Sequence, residues 1–108
     1  MAYLDGRLWP QWYTPRGRAA AGTLIRLTCQ RFQLPREEVL GRCRARQFIG
    51  PRVVIARILR ERGHSYAMVG RLMGGRDHTS IIHYCENFDV HARLNPMVNI
   101  VYRELRHA

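Results

Sequence analysis

Apolar residues recur at three- and four-residue spacing from Ala19 onward, and no useful stretch alternates with the two-residue period of a strand. Leu24, Leu27, Thr28 and Phe32 form the first such stripe, which runs out near Leu34-Pro35. Pro35 at a first helical position, followed by Glu37 and Glu38, predicts a short second helix to about Gly41. Proline lacks the N–H that a first turn leaves unused, and acids suit the positive end of the helix dipole. An arginine-dense connection with Arg42, Arg44 and Arg46 leads to Gly50-Pro51. Pro51 is expected to open a third helix with Val54, Ile55, Ile58 and Leu59 on its buried face, ended by Gly63. Ser65 is a good N-cap for a fourth helix, with Val69, Leu72 and Met73 inward and Gly74-Gly75 as its stop. Asp77 caps a fifth helix carrying Ile81, Ile82, Cys85 and Phe88 on one face. Asn95-Pro96 starts a sixth, with Met97, Val98, Val101, Tyr102 and Leu105 in register. The expected fold is all-α, about six helices over residues 20–108.

Residues 1–19 break this pattern. Gly6, Pro10, Pro15 and Gly17 interrupt any helix, while Tyr3, Leu4, Trp9, Trp12 and Tyr13 are unusually apolar for a linker. Two readings stay open: a tail that folds back over the core, or an adhesive segment that docks on another protein.

At 108 residues the chain has room for one core, and 46% apolar residues suffice to pack it. A formal net charge of +10 points to a polyanionic partner, nucleic acid ahead of an acidic membrane surface. All 18 basic residues are Arg, whose planar fork fits phosphates and guanine edges, although a GC-rich genome produces the same bias. Cys29, Cys43 and Cys85 lack metal-ligand spacing, and three thiols leave one over from any disulfide pairing. Cys29 and Cys85 read as buried small hydrophobes in a reducing compartment. No apolar run approaches the roughly 18 residues of a membrane span, so a cytoplasmic, nucleoid-associated protein is expected. His78 and His83 lie five apart, off one helical face, without a third ligand. With no nucleophile–base pairing or carboxylate dyad either, neither enzyme, metal nor cofactor is expected. Arg57, Arg60 and Arg62 read equally as a solvated face or as phosphate contacts.

Two short helices joined by Gly74-Gly75-Arg76 have the layout of a helix-turn-helix. The second helix opens with Asp77, His78, Thr79 and Ser80 on an exposed end, suited to a major groove whose base edges carry distinct donors and acceptors. Asp77 can accept from a cytosine amino group, His78 can meet thymine or phosphate, and Thr79 offers a methyl and a hydroxyl.

The string GGRDHTSIIHY at 74–84, with GRCRAR at 41–46, Pro51-Arg52 and His64-Ser65, resembles the C-terminal DNA-binding domain (domain IV) of the bacterial replication initiator DnaA, over roughly residues 20–108. The resemblance implies a six-helix domain that binds the DnaA box as a monomer. It puts Arg76, Asp77, His78, Thr79 and Ser80 on major-groove positions and Arg44 in the adjacent A·T-rich minor groove. Arg42 and Arg46 flank it in the same basic loop. Arg52 falls on a position that contacts the DNA backbone. Departures from the family are one residue fewer between Pro51 and Gly70, Ala67 where proline is common beside the DNA, and Ser80 for the second threonine. No G-x-x-x-x-G-K-[ST] phosphate loop occurs, so nothing of the family's ATPase module is present. The expected function is sequence-specific double-stranded DNA binding at DnaA-box-like sites, regulating replication initiation or transcription. The alternative is an interaction module whose residues 3–13 dock on the initiator or the sliding clamp.

Overall fold

The computed structural model of the chain describes residues 20–108, so the aromatic segment 1–19 and the docking role considered for it lie outside the described residues. Its helices, in chain order, are α1 (Ala21–Phe32), α2 (Arg36–Val39), a 3₁₀ turn (Arg46–Phe48), α3 (Ile49–Glu61), α4 (Tyr66–Leu72), α5 (His78–Glu86), α6 (Phe88–Leu94) and α7 (Pro96–Leu105). No strand occurs among the described residues.

The core is built around α3. Val53, Val54, Ile55, Ala56, Ile58 and Leu59 are all buried, so this helix is apolar most of the way round and is wrapped by its neighbours. Leu24, Ile25 and Leu27 of α1 pack on one side, and Val98, Val101 and Leu105 of α7 on another. A buried carboxylate must be paired, and Glu104 of α7 accepts from Arg31 Nη2 of α1 at 2.6 Å. Cys29 is buried, Cys85 half-buried and Cys43 exposed. Burial pushes the Cys29 thiol up to about 11, which leaves it protonated and unreactive at neutral pH.

Several caps are where the residue types predict them. The Ser65 hydroxyl accepts from Met68 N–H at 3.1 Å, and the Asn95 carboxamide accepts from Met97 N–H at 3.1 Å with Pro96 at the first helical position. Gln33 adopts the left-handed conformation (φ 56°) that closes α1, and Leu34 N–H bonds back to the Cys29 carbonyl at 3.0 Å.

Three boundaries differ from the sequence expectation. Pro35 is the N-cap of α2, one position outside the helix. α3 begins at Ile49, two residues ahead of Pro51, because proline is tolerated throughout a first turn whose N–H groups need no partner. The expected fifth helix divides at Asn87, which leaves the helical backbone (φ −105°, ψ 19°) and serves both as the end of α5 and the start of α6. Phe88 therefore belongs to α6, where its ring meets Tyr102 of α7 edge-on at 5.0 Å.

Candidate nucleic-acid interface

The turn between α4 and α5 is made by atoms that are missing as much as by atoms present. Gly70 sits in the last turn of α4, and a Cβ there would lie 2.1 Å from the Arg76 carbonyl. The Gly70 carbonyl accepts from Gly75 N–H at 3.0 Å and from Arg76 N–H at 2.8 Å, which folds the chain sharply back. Gly74 has φ +83°, and a Cβ there would meet the Leu40 carbonyl at 2.3 Å. Only glycine meets both demands, left-handed backbone and close approach. The turn is thus pressed against the end of α2, where the basic loop begins.

Asp77 then starts α5. Its carboxylate accepts from Thr79 N–H at 3.1 Å, and this backbone bond holds it below the usual carboxylate range. His78 Nδ1 lies 3.0 Å from the same oxygen. Asp77, His78 and Thr79 are exposed and Ser80 is half-exposed, while Ile81 behind them is fully buried. The helix is anchored by its aliphatic side and presents its polar amino end outward.

The basic loop stands beside that end. Arg42, Arg44 and Arg46 are all exposed, and no acidic group pairs with them among the described residues. A cleft lined by Gly41, Arg42, Gly75, Asp77 and Ser80 runs between the loop and the start of α5. Arg42 and the amino end of α5 thus give this cleft a positive potential, with hydrogen-bonding groups at its edge.

The remaining predicted contacts stand differently. Arg52 was expected on the DNA backbone, yet it is only 4% exposed, and its guanidinium donates inward to the carbonyls of Glu38, Val39 and Gly41. Its guanidinium is thus turned toward the end of α2. Arg76 is half-buried and donates to the carbonyls of Leu40, Gly41 and Met73, so its head is turned onto the loop instead of outward. Ala67 is exposed on the first turn of α4, at the far end of that helix from the tight turn.

The arginines along and just after α3 have partners within the protein. Arg57 pairs with Glu61 at 3.1 Å and lies over the Phe88 ring at 4.6 Å. Arg60 covers the Tyr66 ring at 4.3 Å and donates to the His64 carbonyl at 3.0 Å, and Arg62 donates to the Ala108 carbonyl at 2.9 Å. Sequence reasoning missed Gly70 as a turn residue, although a lone glycine inside a helical pattern was its signal.

No group of three or more His, Cys, Asp or Glu side chains among the described residues is placed to hold a metal ion. No described helix is long and apolar enough to cross a membrane.

The family of the bacterial dnaA protein helix-turn-helix matches residues 22–87. The chromosomal replication initiator protein DnaA of Acinetobacter baylyi is 32% identical over 81 residues, covering 74% of this chain and 17% of that protein. The corresponding protein of Chloroflexus aggregans is 33% identical over 89 residues (76% of this chain, 19% of the relative). That of Herpetosiphon aurantiacus is 36% identical over 69 residues (63% and 15%). The chain therefore spans less than a fifth of the length of these curated relatives. With the glycine turn and the exposed start of α5 inside the matched region, this chain belongs to the bacterial DnaA helix-turn-helix family of DNA-binding domains.

Proposed function

We propose that this chain reads double-stranded DNA, with the amino end of α5 in the major groove and Arg44 in the neighbouring minor groove. One observation carries the reading. The exposed polar end of the recognition helix shares a cleft with Arg42, the first of three exposed, unpaired arginines in the loop that leads away from it. A narrow A·T-rich minor groove concentrates negative potential and attracts an inserted guanidinium, while Arg42 and Arg46 are free for phosphates on either side. In the major groove, the Asp77 carboxylate keeps one oxygen available for a cytosine amino group after capping the helix. His78 and Thr79 stand beside it for thymine or phosphate.

The sites are DnaA-box-like, because the family's major-groove string is retained from Gly74 through Thr79. Ser80 lacks the methyl of threonine and so gives up one apolar contact to thymine, which loosens preference at one base pair. The chain occupies such sites as a monomer and regulates replication initiation or transcription there.

The test is equilibrium binding to a duplex with a DnaA box and to a scrambled duplex at two salt concentrations. About six phosphate contacts give a log–log salt slope near −5 for both. The box duplex binds more tightly, and Arg44→Ala and His78→Ala each remove at least about tenfold of that preference. Equal affinity for the two duplexes, unchanged by either substitution, rules the reading out.

A further inference from the structure

Arg52 and Arg76 come from different elements, α3 and the α4–α5 turn, yet they converge on the same short stretch of backbone. Arg52 Nε donates to the Val39 carbonyl at 2.8 Å, and its Nη2 to the carbonyls of Glu38 at 3.0 Å and Gly41 at 3.2 Å. Arg76 Nη2 donates to the Gly41 carbonyl at 2.6 Å, and its Nη1 to those of Leu40 at 3.3 Å and Met73 at 3.2 Å. Glu38, Val39, Leu40 and Gly41 are the end of α2, where a helix runs out of N–H partners for its last carbonyls. The residue that follows is Arg42, the first of the basic loop.

This convergence has an electrostatic cost. Burial, and then the like charge of Arg76, push Arg52 below the usual guanidinium range, with Tyr84 of α5 acting the other way. Lysine cannot substitute at either place, because an ammonium lacks the planar fork that spans neighbouring carbonyls.

The geometry points to Arg52 and Arg76 as positioning residues, a two-arginine clamp that fixes the basic loop against the recognition helix so that both grooves are read as one unit. Their contribution to DNA is made through Arg44 and its neighbours, not through direct contact. The inference rests on the DNA-reading function above, but its structural half is measurable without DNA.

In the free protein, arginine side-chain NMR should show slow Nε–H exchange and hindered guanidinium rotation for Arg52 and Arg76, against fast rotation for Arg42, Arg44 and Arg46. Guanidiniums of Arg52 and Arg76 as mobile as that of Arg44 overturn the clamp, whatever the variants do. With DNA, Arg52→Lys and Arg76→Lys are compared with wild type on box duplexes whose A·T pairs beneath Arg44 are kept or replaced by G·C. Each variant should lose about tenfold of the preference for the A·T flank, with its salt slope unchanged because the charge is retained. Arg44→Ala should then cost less in either lysine background than in wild type, since contacts that depend on each other are not additive. A loss equal on both flanks, or effects that add with Arg44→Ala, overturns the clamp. Wild-type protein that ignores the flank and the box refutes the DNA reading instead, and the side-chain NMR still decides the clamp.

Discussion

The core around α3 and the corner where α2, the glycine turn and the basic loop meet are held together by different means. In the core, aliphatic side chains from α1, α3 and α7 fill a common volume, and the energy resides in area removed from water. In the corner, the contacts are guanidinium to carbonyl, N–H to carbonyl, and glycine Cα against backbone. A volume can be filled in many ways, whereas a carbonyl in a fixed position accepts from few donors and a 2 Å gap admits no carbon. The core should therefore tolerate exchange of shape, and the corner should tolerate almost none.

The largest effect is expected where that contrast is sharpest. Gly70→Ala adds one methyl, but it falls on the Arg76 carbonyl, so the helix-turn-helix must open. A loss of about 3 kcal/mol or more in denaturant unfolding is expected from the forced backbone shift. Leu59→Met in the last turn of α3, fully buried, changes more atoms and should cost under about 1.5 kcal/mol. Gly22→Ala, in an exposed turn of α1 where a Cβ meets nothing, should raise stability by up to about 1 kcal/mol. A Gly70→Ala protein as stable as wild type would erase the distinction between the two regions.

A smaller effect sits at the rim of the core. His91 of α6 is half-buried, its Nε2 has neither solvent nor a hydrogen-bond partner, and the His83 ring lies 6.3 Å away. Burial, and then the charge of His83, lower its pKa from the ordinary 6.5. Above that value both folded and unfolded chains carry a neutral imidazole, and nothing is lost. As pH falls below it, the unfolded chain takes up the proton first, so stability drops until the folded pKa is reached. Unfolding measured at pH 7.5 and 5.5 should show wild type losing more stability than His91→Gln over that interval. Equal losses would mean that the core rim admits a charge.

The same contrast governs what the amino-acid sequence revealed. Apolar periodicity located α1, α3, α4 and α7, and the cap chemistry of Ser65, Asp77 and Asn95 marked helix starts to the residue. The string from Gly74 to Tyr84 carried the family. The break at Asn87 left no trace, because Ile81, Cys85 and Phe88 keep a helical spacing across it and face the core on both sides of the bend. The inward bonds of Arg52 were illegible for a related reason. Their acceptors are main-chain carbonyls of another element, which no side-chain pattern records. An arginine turned inward is indistinguishable in sequence from one turned outward, and only the fold separates Arg52 and Arg57 from Arg44.

The measurement that bears most directly on the account is a backbone NMR titration of the protein with a box-containing duplex. Shifts concentrated at residues 42–46 and 77–80, with Arg103 and Arg106 of the α7 side quiet, are the predicted result. Shifts centred on α7, with the start of α5 unmoved, would contradict it.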